Sequence, residues 1–395
     1  MLVTLPLVAA LAALAPAVSA NSAIQEYKLS APGIRASFIP HGARLLTLEV
    51  PDRNGEWRDV NLAHAETKTF AEETSSSRSY FGSVVGRYAN RIRNGTFYVD
   101  GQDYHTPLND HDGLDTLHGG LEAYDAREWT VLSSNASTIT FQLLDHASEG
   151  FPGNVLALAS YTVTAGKLTT ILTAYALDLP TPILLTTHSF FNLAGDATTT
   201  VLDDTLELPG AGRYVMVDSI AVPTGEIADL RSVRPDGSLH PLNYTSARPI
   251  RDSLDANLCG DGCVGLDNCW IFDKPEPVDG PSVGPAQVIW TSEQSGIRMK
   301  VHTNQPAIQL YDCIGMDGTL ATSAGTVVKY GCMAIEPQGW IDGINHPEWN
   351  QRQIYAPGQG PHVNIAEYAF DTVPIAQHPD LDAALGMGSQ GFLHV

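Results

Sequence analysis

The sequence predicts an all-β protein, a single large antiparallel β-sandwich, and three observations carry that expectation. Short runs rich in β-branched and aromatic residues recur along most of the chain, each bounded by Gly, Asn, Asp or Ser. No long stretch joins helical apolar periodicity to capping residues. Among 395 residues, 35 glycines and 25 prolines supply the many turns such a topology needs. With no internal repeat or linker in sight, one domain is expected over residues 21–372, between a leader at 1–20 and a tail at 373–395.

The leader, "MLVTLPLVAALAALAPAVSA", is apolar from Leu2 to about Leu14 and ends in Val18-Ser19-Ala20, small residues suited to signal-peptidase cleavage. It is short for a membrane span, and no later stretch is long and apolar enough to serve as one. A secreted protein without stable membrane association after cleavage is therefore expected. Asn94-Gly95-Thr96, Asn135-Ala136-Ser137 and Asn243-Tyr244-Thr245 match the glycosylation pattern. Five cysteines (Cys259, Cys263, Cys269, Cys313 and Cys332) allow one or two disulfides and leave one thiol over. Their spacing is poor for a zinc site, and neither metal nor cofactor is expected.

The strands follow in order. "GTFYVDGQDYHTP" alternates Phe97 and Val99 with polar neighbours and turns at Asp100-Gly101, a short hairpin signature. "STITFQLLD", "LALASYTVTAGKLTTILTAYAL", "AQVIWTSEQSGIRMKVHT" and "AIQLYDC" are similar runs. Charged residues make up 17% and hydrophobic ones 43%, a globular balance. Asp plus Glu total 44 against 22 Lys plus Arg, and a net charge of −22 repels nucleic acid and anionic lipid.

Polar side chains gather in a few strand contexts. In "FGSVVGRYANRIRNGTF", Gly82 and Gly86 permit close backbone approach, and Asn90 and Arg91 precede a strand, with Arg87 and Arg93 nearby. An Arg beside an Asn presents donors in fixed directions to hydroxyl groups, although a structural arginine paired with a carboxylate is the competing account. In "DTLHGG", two glycines after His118 would let a ligand approach; His111, seven residues earlier, lacks metal-pair spacing. If 183–190 is one strand, Leu184, Thr186, His188 and Phe190 share a face, placing His188 in a partly apolar wall. In "YGCMAIEPQGWIDGINHPEW", Glu336 and Ala334 lie opposite Met333 and Ile335. Pro337 should end or bulge the strand and expose Glu336 at a sheet rim. In "AIQLYDC", Gln309 shares a face with Ala307 and Tyr311, and "GLDNCWIF" offers Asp267.

Taken in order, "GRYANRI", "LHGG", "THSFFNLAG", "AIQLY" and "AIEPQGWIDGINHPEW" resemble the aldose 1-epimerases, or galactose mutarotases, over about residues 30–370. The resemblance implies a galactose mutarotase-like supersandwich acting on free monosaccharides without a cofactor. It places a general base at Glu336 and a general acid at His188. Sugar contacts fall on Asn90, Arg91, His118, Asp267 and Gln309. Opening the ring requires the C1 hydroxyl to lose a proton as the ring oxygen gains one, so two groups of different character are needed. A secreted, non-catalytic carbohydrate-binding sandwich, a glycoside hydrolase pairing Glu336 with Asp267 or Asp342, and a hexose-6-phosphate epimerase are the alternatives.

Overall fold

The computed structural model describes residues 24–73, 78–234, 236–254, 258–273 and 283–374. The leader and all but the first two residues of the expected tail lie outside them. Strand dominates, at 44% against 6% helix, and the one α-helix among the described residues, Lys68–Glu72, has five residues. No helix of the described residues is long and apolar enough to cross a membrane.

A nine-stranded antiparallel sheet forms one layer. It runs Thr130–Ser134, Thr138–His146, Asn154–Thr164, Lys167–Ala176, His362–Thr372, Ile297–Thr303, Val288–Thr291, Thr205–Glu207 and Arg248–Pro249. The period-two pattern is sharpest in Asn154–Thr164, where Val155, Ala157, Ala159, Tyr161 and Val163 are buried and the residues between them are not. A six-stranded sheet faces it, ordered Ser189–Phe191, Met333–Gln338, Ala307–Tyr311, Asp267–Ile271, Arg213–Val217 and Pro223–Asp229. A four-stranded sheet, Tyr27–Ala31 through Trp57–Asp59, shares the same core. The expected hairpin is present: Thr96–Val99 pairs with Gln102–His105, and Asp100 and Gly101 both take positive φ, as a type I′ turn requires.

The core between the layers fixes the strands that carry the polar face. Trp270 is fully buried, and its indole N–H donates to the Leu242 carbonyl at 2.9 Å. Truncating such a side chain to alanine costs about 3–5 kcal/mol, so the strand holding Asp267 is firmly anchored. Disulfides join Cys259 to Cys263 and Cys313 to Cys332, with Cα separations of 5.5 and 5.4 Å. Cys269 is the buried thiol left over.

Candidate active site

The outer face of the six-stranded sheet is the floor of a cleft of about 410 Å³. Register sets Cys269 opposite Gln309, and Gln309 opposite Glu336. Alternation then sends Ile308, Leu310, Met333 and Ile335 into the core and leaves Asp267, Gln309, Tyr311 and Glu336 on the other face. Pro337 does not end the strand, which runs on to Gln338, and Glu336 is buried in mid-sheet, not exposed at a rim. The reason is local. Thr186 Oγ1 and Asn364 Nδ2 donate to the Pro337 carbonyl at 2.8 and 2.7 Å. A residue's N–H and C=O point to the same side of a strand, so the missing N–H falls where side chains, not a ladder, make the bonds.

His188 stands on a broken strand. Residues 183–190 do not form one element: Thr186–Thr187 pairs with Val84–Val85, while Ser189–Phe191 pairs with Met333–Ile335. Between them, the His188 N–H donates to Ser83 O at 2.8 Å, and its carbonyl accepts the Gly82 N–H at 2.9 Å. A Cβ on Gly82 would lie 2.1 Å from the Leu45 carbonyl oxygen, so only glycine lets this backbone come so close. The break also separates the expected shared face. Leu184 packs with Tyr88 and Phe97, whereas His188 and Phe190 line the cleft with their rings 4.9 Å apart.

The opposite wall comes from Arg91–Arg93 paired with Asp115–Leu117. Asn90, at φ +60°, donates its backbone N–H to His118 Nδ1 at 3.1 Å and accepts the His118 N–H on its carbonyl. Arg91 donates from Nε to Asp110 at 2.8 Å, and Asn90, Arg91 and His118 all line the cleft. Gly119 and Gly120 do not. A Cβ on Gly119 would meet the Gly86 carbonyl oxygen at 2.4 Å, so this glycine serves backbone packing and not ligand approach. Gln309 lies one step behind the surface, its amide donating to Asp267 at 2.6 Å. Arg87 is elsewhere, buried against Asp145. Asp342 is buried too, accepting from Asn345 Nδ2 and the Arg93 N–H, and does not face the cleft.

Six of the seven sequence-derived site residues therefore line one cavity. The sequence did not point to Arg78, Tyr80, Tyr311 or the Cys259–Cys263 loop as further lining. The cysteines were visible as a cluster, but nothing local says that their loop reaches the mouth. Tyr80 carries no motif signal, yet its ring lies 4.6 Å from His118 and 5.7 Å from His188.

Electrostatics set the resting state. His188 Nε2 and Glu336 Oε1 are 3.4 Å apart. Burial pushes the His188 imidazole down to about 3, and burial with the nearby Asp267 raises the Glu336 carboxyl well above its usual range, Arg91 opposing. Both shifts disfavour charge, so burial favours the neutral pair, with the proton on Glu336, over the ion pair. Desolvation disfavours separated charge here. His118 is also held neutral, chiefly by burial, with the nearby Arg91 and Arg78 guanidinium groups acting in the same direction. Arg91 keeps its proton despite burial because Asp267 and Asp110 outweigh it. His118, His188 and Glu336 bring ligand-type atoms within 4.8 Å of one another. They do not fit a metal as they stand, because the Asn90 N–H occupies the Nδ1 lone pair of His118 and leaves the proton on Nε2. His118 is a donor. Glu336 Oε2 is a buried acceptor without a hydrogen-bond partner among the described residues.

Residues 25–362 match the family model described as "Aldose 1-epimerase". The chain is 41% identical to a probable aldose 1-epimerase of Arthroderma benhamiae, the alignment covering 89% of this chain and 87% of the relative. It is 31% identical to the galactose mutarotase of Homo sapiens, over 84% and 90% of the two chains. A solved structure of a GalM/aldose epimerase homologue from C. elegans superposes with a TM-score of 0.76 at 26% identity, covering 89% of this chain and all of that one. By the extent of the family match and of these identities, the chain belongs to the aldose 1-epimerase family.

Proposed function

We propose that this protein interconverts the α and β anomers of free aldoses of the glucose and galactose class, with Glu336 and His188 moving the protons. One observation carries the reading: a buried imidazole and a buried carboxyl 3.4 Å apart, both lining one polar cleft. The two oxygens that exchange protons during ring opening are bonded to one carbon, so donor and acceptor are needed side by side, not on opposite walls.

The hydroxyls of a bound sugar and the charge of Arg91 favour the ionised arrangement, reached by transfer of the proton from Glu336 to His188. Glu336 then takes the proton of the C1 hydroxyl as His188 gives one to the ring oxygen. The C1–O5 bond breaks and the C1–O1 bond becomes a carbonyl. Rotation about C1–C2 turns the other face of the aldehyde to the O5 hydroxyl. On closure, O5 returns its proton to His188 and Glu336 restores that of O1. His118, as a neutral donor, and Arg91 face the oxygens on which charge develops.

The hexose-phosphate alternative loses support: of Arg87, Arg91 and Arg93 only Arg91 lines the cleft, its charge balanced by Asp267 and Asp110, and the other lining arginine, Arg78, is paired with buried Asp125 at 3.2 Å. Export is part of the same proposal. Two disulfides support it, as do Asn94 and Asn135, which are exposed. Asn243 gives no support, being buried with its amide donated to the Leu230 carbonyl.

Polarimetry on fresh α-D-galactose and α-D-glucose tests the chemistry. Glu336→Gln should lower kcat/KM by about 10²- to 10⁴-fold. In the parent, kcat/KM should show no inflection near 6.5, because the His188 limb is displaced downward and the Glu336 limb upward. Unchanged rates in Glu336→Gln would overturn the role of Glu336, and a parent that does not accelerate mutarotation would leave only a binding protein.

A further inference from the structure

A second cluster lies beside the cleft, and the proposed proton transfer makes no use of it. Asp110, His111 and Asp115 bring ligand-type atoms within 4.8 Å of one another. His111 Nδ1 is 3.0 Å from Asp110 Oδ2 and 3.6 Å from Asp115 Oδ2. None of these approaches is aligned as a hydrogen bond to Asp115. That side chain is fully buried, and neither of its oxygens has a hydrogen-bond partner among the described residues. His111 Nδ1 likewise lacks one. A buried carboxyl left without partners is costly, and native proteins rarely keep one without a compensating ligand.

From this geometry we infer a divalent-metal site at Asp110, His111 and Asp115, of zinc type. Zinc holds nitrogen and carboxylate oxygen at about 2.0–2.2 Å in a tetrahedron, whose edges are then about 3.4 Å. The two separations from His111 bracket that value. One imidazole with two carboxylates suits zinc better than calcium or magnesium, which favour oxygen alone. The loop is already shaped for it: the Asn109 and Asp110 N–H groups donate to the Asp115 carbonyl, and the Gly113 and Leu114 N–H groups donate to the Asp110 carbonyl. Three protein ligands leave a fourth position open, and His111 is on the cleft wall. Unlike His118, His111 has no backbone donor on its inward nitrogen.

The ion shares Asp110 with Arg91, which donates to the same oxygen at 2.8 Å. Zinc binding is therefore linked to whatever Arg91 holds, and the linkage is reciprocal. This coupling rests on the proposed sugar site; the metal site itself does not.

Calorimetric titration of the full chain, free of any tag, with Zn2+ alone tests the site. One equivalent should bind, and Asp115→Asn and the rim variant His111→Gln should each weaken it by about 100-fold or more, a scale that loss of an outer-shell partner already approaches. His118→Asn should leave it unchanged. No binding at millimolar zinc, binding intact in His111→Gln and Asp115→Asn, or loss in His118→Asn would overturn the assignment. A second titration with D-galactose, with and without zinc, reads the coupling. Zinc that binds as described but leaves galactose affinity unchanged supports the site and overturns the coupling alone.

Discussion

Arg87 and Arg91 stand four residues apart in "GRYANRIR" and have opposite fates. The Arg87 side chain is 1% exposed and spends its donors on Asp145, the Pro152 and Gly153 carbonyls and Thr181. That of Arg91 is 12% exposed, donates from Nε to Asp110 and borders the cleft. Arg93, two residues further on and 40% exposed, reaches Asp218 and the Pro223 carbonyl. The difference teaches that residue type in a motif does not set function. What decides is whether the folded chain uses up the side chain's donors or leaves some facing a cavity.

Substitution of the three arginines separates these roles. Arg87→Met removes the closer of the two arginines on buried Asp145, leaving Arg127 at 3.3 Å with Ser148 and the Tyr124 hydroxyl, and should cost about 3 kcal/mol in denaturant unfolding. Its kcat/KM per folded molecule should stay near the parent's; a selective catalytic loss would erase the distinction. Arg91→Met should do the reverse, lowering kcat/KM by about 10²- to 10³-fold, or about 2.7–4 kcal/mol, at a nearly unchanged melting temperature.

Carboxyls with and without an arginine sharpen the contrast. Burial alone would raise Asp145, but Arg87 and Ser148 bring it below its usual range. Burial prevails at Asp204, Asp312 and Asp342, raised to about 7, 8 and 7. These three are protonated in the folded state at pH values where the unfolded chain has released the proton. Their contribution to stability is whole below about pH 4 and fades as pH climbs through 7 to 8. The lowered histidines act in the opposite sense, but only below about 6.5, the unfolded value. Between pH 6.5 and 8 the melting temperature should therefore fall; a flat or rising curve would contradict the burial of these groups. Arg93→Gln, at a half-exposed pair, should change stability by about 0–1 kcal/mol and leave kinetics alone.

Much of this was legible in the sequence. The strands and the Asp100-Gly101 turn were, because alternation and turn chemistry act over a few residues. The opposite facing of Glu336 and Ile335 was legible for the same reason. The interruption at His188 was not, since it depends on Ser83 and Gly82, about a hundred residues away. Nor was the partner of Arg87, which lies 58 residues along the chain. The protonation state of the pair was hidden too, as it follows from how deeply the assembled walls bury it.

Gly82 shows how far such dependence reaches. It contributes no atom to the cleft, yet its N–H fixes the carbonyl of His188 and its lack of a side chain lets Leu45 sit against it. The aim of the imidazole is thus set from behind, by a position that no inspection of the cavity lining would single out. Crippling changes in this enzyme need not touch sugar, acid or base; the smallest residue in the chain can misdirect a proton.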